Sequence, residues 1–175
     1  MKLSQSDQSE ASGNDVSGIV GRHLLYRYAN GWRYELYIKN AATIDYRIHE
    51  GIVAGRWVKG QPVHLAHLGD RRYTVSWTEP TGSSVSLAID LGARQLHGAI
   101  FFAQWVYADP AKTVCFQNDF LDDMQRYRDR GPTHPIVVVD EFAHIHFIED
   151  CGPDDDRVIA VPPSALPDGY LDREN

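Results

Sequence analysis

Short segments of alternating apolar and polar residues, separated by turn residues, fill the chain from Gly18 to about Phe102. The strongest turn signal is Asn30-Gly31, which predicts a two-residue hairpin between His23–Ala29 and Trp32–Lys39. Further segments of this kind are Thr43–His49, Ile52–Val58, Val63–Leu68, Arg72–Thr78, Val85–Asp90 and Leu96–Phe102, with breaks that include Gly60-Gln61-Pro62 and Gly69-Asp70. About eight strands with tight connections predict an antiparallel barrel or sandwich.

Helical periodicity is clearest in Asp119–Arg130, where Phe120, Leu121, Met124 and Tyr127 recur at helical spacing. Gly131-Pro132 is predicted to end this helix. A final pair of strands is predicted within Ile136–Ile148.

The two ends of the chain are polar. Residues 1–17 are rich in Ser, Asp and Gln and predict a disordered tail. Residues 18–160 are predicted to form a single barrel domain, and residues 161–175 a Pro/Asp-rich C-terminal tail. The Pro- and Asp-rich stretch begins at Gly152, and we expect it to wrap the surface or to fray.

Composition narrows the class of protein. A length of 175 residues suits one domain with one core, and a formal net charge of −7 argues against a nucleic-acid or anionic-membrane surface. The two cysteines, Cys115 and Cys151, fit neither a disulfide scaffold nor a zinc-ligand pattern. Met1–Asp15 has no apolar run, so neither a signal peptide nor a membrane span is predicted, and cytoplasmic residence is expected.

Alternation places several polar side chains inside the predicted barrel. A barrel of about eight strands has room inside for packed side chains or one small ligand. Residues two apart on a strand share a face, so Tyr26 and Tyr28 lie with Leu24, and Tyr34 lies with Leu36. These apolar faces are predicted to point inward, which brings the three tyrosines into the barrel.

A glutamate and an arginine are further candidates. The face that carries Tyr73, Val75 and Trp77 continues to Glu79 at the rim, directly before a turn. In Ile52–Val58 either face can be the inner one, so periodicity leaves the direction of Arg56 open.

These side chains allow a structural and a functional interpretation. Buried tyrosines are commonly core residues with satisfied hydroxyls, and an inward arginine–glutamate pair can be a structural ion pair. In combination they suggest a pocket for an aromatic acid, in which Arg56 binds a carboxylate and the tyrosines meet a phenol. The candidate walls of that pocket are Val85, Leu87, Ile100, Trp77 and Ile44.

Histidines offer a competing interpretation. His144 and His146 would share a strand face, as metal ligands in a barrel do, and His64 and His67 add to the count. No third ligand stands at a suitable spacing, so no metal site is predicted. No nucleophile motif, phosphate loop or dinucleotide fingerprint is present.

Several sequence blocks carry the candidate residues. They are Tyr26-Arg-Tyr28-Ala-Asn-Gly-Trp32, Thr43-Ile-Asp-Tyr-Arg-Ile-His49, Gly51-Ile-Val-Ala-Gly-Arg-Trp57, Ser76-Trp-Thr-Glu-Pro-Thr-Gly82, His97-Gly-Ala-Ile-Phe-Phe102, Thr113-Val-Cys-Phe-Gln-Asn118 and Asp140-Glu-Phe-Ala143. In these blocks the chain closely resembles the bacterial phenolic acid decarboxylases, the ferulate and p-coumarate decarboxylases. The resemblance runs in order from about Gly18 to Ala160.

The resemblance implies a lipocalin-like, all-β antiparallel barrel with one or two flanking helices, a homodimer, and no cofactor or metal. It implies decarboxylation of para-hydroxycinnamic acids (p-coumarate, ferulate, caffeate) to 4-vinylphenols and CO2. The family's functional positions fall on Tyr26, Tyr28, Tyr34, Arg56 and Glu79, which would direct Arg56 inward. The alternative to an enzyme is a non-catalytic barrel that binds small aromatic acids.

The role expected for each of these residues follows from the path of the electrons during decarboxylation. A phenolate held by Tyr26 and Tyr28 supplies electrons so that the substrate itself becomes the electron sink, Arg56 and Tyr34 orient the carboxylate, and Glu79 protonates the carbon next to it. The reverse orientation of the substrate is physically possible too. Departures from the family pattern are Ser83-Ser84, Ala103-Gln104 and Ala29, and all are expected to act at the mouth of the barrel.

Overall fold

The computed structural model describes residues 14–175, which form one antiparallel sheet of nine strands. The strands are β1 (Arg22–Tyr28), β2 (Arg33–Tyr37), β3 (Thr43–Ile48), β4 (Trp57–Pro62), β5 (His64–Gly69), β6 (Arg72–Thr78), β7 (Ser84–Asp90), β8 (Gln95–Phe102) and β9 (Val137–Asp150). Their spatial order is β4-β3-β2-β1-β9-β8-β7-β6-β5, and the sheet curls into a nearly closed barrel. The prediction of a mainly antiparallel β-barrel is confirmed.

Two α-helices accompany the barrel. Helix α1 (Gln104–Ala108) follows β8, and helix α2 (Leu121–Arg130) ends where Gly131 adopts a positive φ of 61°. The predicted helix Asp119–Arg130 is confirmed from Leu121 onward, whereas Asp119 belongs to a separate 3-10 turn, Gln117–Asp119. Further 3-10 turns are Pro110–Thr113, Pro163–Ala165 and Tyr170–Asp172.

The predicted strand Ile52–Val58 is wrong. This segment turns back on itself, because Gly51 and Gly55 adopt positive φ angles of 109° and 97° that an extended strand does not allow. Strand β4 starts only at Trp57 and runs through the predicted break at Gly60-Gln61-Pro62. A register shift on the partner strand β3 accommodates Gly60, whose backbone N–H donates to Asp45 at 2.6 Å.

The predicted strand pair within Ile136–Ile148 is wrong as well. The segment is one strand of 14 residues, β9, which pairs with β8 on one side and β1 on the other. Its sequence contains no Gly, Pro or Asn that would turn the chain, so it runs the full height of the barrel wall.

A C-terminal segment covers part of the outside of the barrel. Residues 152–175, the C-terminal strap, lie over the outer faces of β1, β2 and β3. Leu25 and Tyr37 are fully buried although they belong to that outer face. The Tyr37 hydroxyl donates to the Gly152 carbonyl at 2.6 Å, and Arg47 Nε donates to the Val161 carbonyl at 2.7 Å. Of the two expectations for this stretch, wrapping the surface is the correct one.

The predicted disordered tail, residues 1–17, lies mainly outside the residues that the structure describes. Residues 1–13 of the predicted tail are not among them. Asn14 contacts strand β5, where its amide donates to the Leu65 carbonyl and its oxygen accepts the His67 N–H, both at 2.8 Å. Within residues 14–175, no helix has both the length and the apolar character that a membrane crossing requires.

Candidate active site

An enclosed, mostly apolar cavity lies inside the barrel and holds about 550 Å³ of empty space, its open mouth included. Helix α1 contributes one wall residue, and the other residues come from the strands and from the segments before β4 and after β6. The lining residues are Tyr26, Tyr28, Tyr34, Glu35, Leu36, Tyr46, Ile48, Val53, Arg56, Trp77, Glu79, Val85, Leu87, Ile100, Phe102 and Val106.

The three predicted tyrosines, Tyr26, Tyr28 and Tyr34, form one cluster in this cavity. Tyr26 and Tyr34 are paired across β1 and β2, and Tyr28 packs edge-on against both with ring centroids 5.5 and 5.3 Å away. Burial raises the pKa of each hydroxyl above its ordinary value, so all three are neutral hydrogen-bond donors at physiological pH. The Tyr34 hydroxyl is buried and has no hydrogen-bond partner within residues 14–175.

Gly98 on β8 makes room for Tyr28. A Cβ atom at this position would lie 2.3 Å from the Tyr28 hydroxyl oxygen, well inside van der Waals contact. The position of that hydroxyl in the cavity therefore depends on the missing side chain of Gly98 on β8, which β9 alone separates from β1.

Arg56 and Glu79 form a buried ion pair in the same cavity. Arg56 is 1% exposed, and its Nη2 lies 3.0 Å from Glu79 Oε2. Nη2 also donates to the side-chain oxygen of Gln117, whereas Arg56 Nε has no partner within the described residues. Burial alone would lower the pKa of Arg56, but Glu79 and Tyr46 outweigh burial and raise it, so the guanidinium stays charged.

Three donors hold the carboxylate of Glu79. Besides Arg56, the Tyr46 hydroxyl donates to Oε1 at 2.8 Å and the Thr81 hydroxyl donates to Oε2 at 3.1 Å. Burial, and next the charge of Glu79, raise the pKa of Tyr46, so this hydroxyl keeps its proton. Donors from β3, from the segment before β4 and from the turn after β6 thus fix the direction of the Glu79 carboxylate together.

Sequence reasoning missed Tyr46, Thr81 and Gln117. Tyr46 was detectable, because it lies between Ile44 and Ile48 on one face of β3, opposite Leu36 of the inner face of β2. The other two lie in a turn and a 3-10 turn, where no periodicity shows which way a side chain points.

Nine of the ten predicted site residues line the cavity, and Ile44 does not. Ile44 is fully buried in the core of the barrel. Arg56 enters the cavity from the turn before β4, and Val53, which belongs to the opposite predicted face, lines the cavity too. Both can do so because a turn does not alternate its side chains as a strand does.

Two of the departures from the family pattern contact each other near the cavity. The Ser83 hydroxyl accepts the backbone N–H of Ala103 at 3.0 Å, and Trp105 Nε1 donates to the Thr81 carbonyl at 2.8 Å. These bonds join the turn after β6 to the start of α1, and thus to the residues that hold Glu79.

The histidine pair has no third ligand in residues 14–175. His144 is exposed, and His146 Nδ1 lies 2.9 Å from the Arg173 carbonyl. One group of potential metal ligands is found in that part of the chain, and it consists of His23, Glu149 and Cys151. It lies outside the residues that line the cavity.

Fold and site together define an antiparallel barrel whose mostly apolar cavity encloses four tyrosines and one arginine–glutamate pair. The family model of the phenolic acid decarboxylases (PAD) matches residues 16–173. A Vibrio cholerae serotype O1 protein named "Probable phenolic acid decarboxylase" is 52% identical over 157 residues, which cover 90% of each chain. Phenolic acid decarboxylase PadC of Bacillus subtilis strain 168 is 49% identical over 148 residues, which cover 85% of this chain and 92% of PadC.

The chain therefore belongs to the phenolic acid decarboxylase family and is a carboxy-lyase. Its substrates are accordingly phenolic acids. The resemblance inferred from the sequence motifs is confirmed.

Proposed function

We propose that this enzyme decarboxylates para-hydroxycinnamic acids such as p-coumarate, ferulate and caffeate to 4-vinylphenols and CO2, without a cofactor. The observation that supports this proposal most is the set of buried donors without a protein partner in the cavity. Arg56 Nε, the Tyr34 hydroxyl and Trp77 Nε1 are buried and unpaired within the described residues. Such groups are costly unless a ligand binds them.

The substrate itself supplies the electron sink in this proposal. A para-phenolate pushes an electron pair through the ring and the vinyl group to the carbon that bears the carboxylate. Protonation of that carbon gives a quinone methide. Cleavage of the bond to the carboxylate carbon then returns an electron pair to the ring, restores its aromaticity and releases CO2.

Each polar group of the cavity has one role in this sequence. Tyr26 and Tyr28, as neutral donors in an apolar environment, stabilise the phenolate. Arg56 and Tyr34 bind the carboxylate with donors that have no partner among residues 14–175. The wall residues Val85, Leu87, Ile100 and Trp77 would pack against the ring and the vinyl group.

Glu79 is the general acid in this scheme and gives one proton to the substrate carbon. Its carboxyl group is aimed by Tyr46, Thr81 and Arg56. Its side chain is 10% exposed, so it can regain a proton from solvent after each turnover. A substrate carboxylate that binds Arg56 would weaken the bond between Arg56 and Glu79 and favour the protonated acid.

The reverse orientation would place the carboxylate at Tyr26 and Tyr28 and the phenol at Arg56 and Glu79. The unpaired donors near Arg56 favour the first orientation, because a carboxylate accepts more hydrogen bonds than a phenol. A crystal structure of the Glu79→Gln variant with p-coumarate distinguishes the two orientations directly.

The test of the proposed reaction uses EDTA-treated protein and ultraviolet spectra of p-coumarate and of unsubstituted cinnamate. We expect p-coumarate to be converted to 4-vinylphenol and cinnamate to remain, because cinnamate has no phenolate to supply electrons. Conversion of both acids would contradict the proposed electron sink. Loss of activity on EDTA treatment, restored by metal, would contradict the cofactor-free reaction.

We further propose that the enzyme acts as a homodimer, through the outer face of β8 and β9. Phe142 and Val138 are 55% and 53% exposed there, and the neighbouring Phe101 is 38% exposed. Apolar side chains grouped in this way are typical of a protein interface. We expect light scattering to give the mass of a dimer, and Phe142→Glu to give a monomer; a monomeric parent protein would refute this proposal.

We also propose cytoplasmic residence. Cys115 and Cys151 are free thiols, as is usual for proteins of the reducing cytoplasm. Detection of the enzyme in the periplasmic rather than the cytoplasmic fraction of its host would refute this assignment.

A further inference from the structure

A histidine, a glutamate and a cysteine meet on the outside of the barrel, where β1 begins and β9 ends. His23 of β1 is paired with Glu149 of β9, and Cys151 is the residue that follows β9. Their potential ligand atoms, an imidazole nitrogen, a carboxylate oxygen and a thiol sulfur, all lie within 4.8 Å of one another. His23 belongs to the face of β1 opposite Leu24 and Tyr26, so this group is separate from the catalytic cavity.

Glu35 fixes the orientation of the His23 ring. His23 is 2% exposed, and its Nε2 lies 2.7 Å from Glu35 Oε1. Burial would raise the pKa of Glu35, but hydrogen bonds from His23 and His49 and the charge of Arg47 lower it, so the carboxylate is ionised. An ionised carboxylate accepts hydrogen bonds, and Nε2 must therefore carry the proton.

In this tautomer the other ring nitrogen, Nδ1, carries no proton and faces the carboxylate of Glu149. Nδ1 of His23 lies 3.4 Å from Glu149 Oε2. In a neutral ring, the lone pair of Nδ1 would face a carboxylate oxygen without a hydrogen atom between them. Either a second proton on the ring or a cation between the two groups relieves that repulsion.

The surroundings of the Cys151 thiol are negative. Burial and next the nearby carboxylates of Glu149, Asp155 and Asp150 raise the pKa of Cys151 to about 11. A cation bound between His23, Glu149 and Cys151 would neutralise this local charge and stabilise the thiolate.

We propose that His23, Glu149 and Cys151 bind a divalent transition-metal cation, with Zn²⁺ as the best match. A nitrogen, an oxygen and a sulfur ligand suit Zn²⁺, whereas Ca²⁺ and Mg²⁺ prefer oxygen ligands alone. Glu35 occupies the position of the carboxylate that commonly accepts a hydrogen bond from a metal-binding histidine and orients its ring. Three protein ligands leave the fourth tetrahedral position to water.

The site would join the barrel to the C-terminal strap. The Cys151 backbone N–H donates to the Gly21 carbonyl at 2.9 Å, directly before β1, and the strap begins at the next residue. A cation bound to Cys151 and His23 would hold that junction closed. Because it binds only the folded chain, it would raise the melting temperature in proportion to its binding free energy. The site takes no part in the reaction and does not rest on the proposed mechanism.

The test uses untagged, full-length, chelator-treated protein. Zn²⁺ binding is measured by competition with a colorimetric chelator, and Co²⁺ binding by the thiolate-to-cobalt charge-transfer absorption. We expect one equivalent of either metal, a charge-transfer band, and a rise in the melting temperature with Zn²⁺.

Two variants and two controls locate the site. Cys151→Ser should abolish the charge-transfer band, and both Cys151→Ser and Glu149→Gln should weaken Zn²⁺ binding by at least about tenfold. Both side chains are partly exposed, so these variants should fold. The controls are Cys115→Ser, which removes the other thiol, and Asp122→Asn, which removes an exposed carboxylate on α2; both should bind as the parent protein does.

Absence of stoichiometric binding would overturn the proposal, and so would binding that both site variants retain.

Discussion

Two buried arginine–glutamate clusters lie on opposite sides of the same barrel wall. The side chains of Arg47 and Glu35 pair under the C-terminal strap, although Glu35 also belongs to the residues that border the cavity, whereas Arg56 and Glu79 pair inside the cavity. Both arginines are at most 2% exposed. The two clusters differ in how completely their polar atoms are paired.

The outer cluster is fully paired. Arg47 donates to Glu35 and to the Val161 carbonyl, both at 2.7 Å, and to the Val158 carbonyl at 3.5 Å. The Glu35 carboxylate accepts further hydrogen bonds, from Tyr170 and from two histidines, His23 and His49. Inside, by contrast, Arg56 Nε has no partner within the described chain. A saturated network holds the fold together, and an unsaturated one is available to a ligand.

The largest effect is expected for Glu79→Gln in the inner cluster. Turnover of p-coumarate should fall by about 10²- to 10⁴-fold, because the amide cannot deliver the proton. Ligand binding, measured by calorimetry, should change little. Activity close to that of the parent enzyme would remove Glu79 from the mechanism in either substrate orientation.

The matched change in the outer cluster, Glu35→Gln, should act on stability instead. It leaves the buried charge of Arg47 uncompensated, and we expect the free energy of unfolding to fall by about 3–5 kcal/mol in urea titrations. The kcat of the fraction that remains folded should stay near that of the parent enzyme. A stable but inactive variant would contradict the separation of the two clusters.

The pH dependence of stability sharpens this second test. The folded-state pKa of Glu35 is lowered from its ordinary value of 4.5, so its contribution is complete above that pH and is lost as the pH falls further. The stability difference between the parent protein and Glu35→Gln should therefore shrink between neutral pH and pH values below 4.5. A difference that stays constant over this range would show that Glu35 does not contribute as a carboxylate.

Gly98→Ala should have a smaller effect on activity, through Tyr28 in the cavity. The new methyl group displaces the Tyr28 hydroxyl, and kcat/KM should fall by roughly 10- to 100-fold, as expected for a shift of about 1 Å in a catalytic group. Ala99→Ser, the neighbouring position on the opposite face of β8, is the control and should retain activity. Unchanged kinetics in Gly98→Ala would show that the position of Tyr28 is not critical.

The smallest effect is expected at the exposed edge of the strap. Asp172 lies 3.2 Å from Arg33, but its side chain is 71% exposed. Because solvent screens such pairs, Asp172→Asn should change the free energy of unfolding by less than about 1 kcal/mol. A larger loss in urea titrations would mean that the strap depends on its rim as well as on Glu35.

Local periodicity predicted much of the inner face of the barrel. The alternation along β1, β2 and β6 predicted that four side chains point into the cavity, because a strand places every second side chain on the same face. These side chains are Tyr26, Tyr28, Tyr34 and Glu79, and all of them line the cavity. The same reasoning failed before β4, where glycines turn the chain, and in β9, whose length depends on pairing with two distant strands.

The sequence by itself determined the family, the class of fold and most of the residues that line the cavity, since motifs and strand alternation are local properties. Only the tertiary structure decided which buried arginine has partners for its hydrogen-bond donors and which keeps a donor, Arg56 Nε, without a partner in residues 14–175. Arg47 and Arg56 both stand in short alternating segments of similar composition. Arg47 is paired because the strap returns 114 residues later to supply the Val161 carbonyl, and such long-range packing is not encoded in any local pattern.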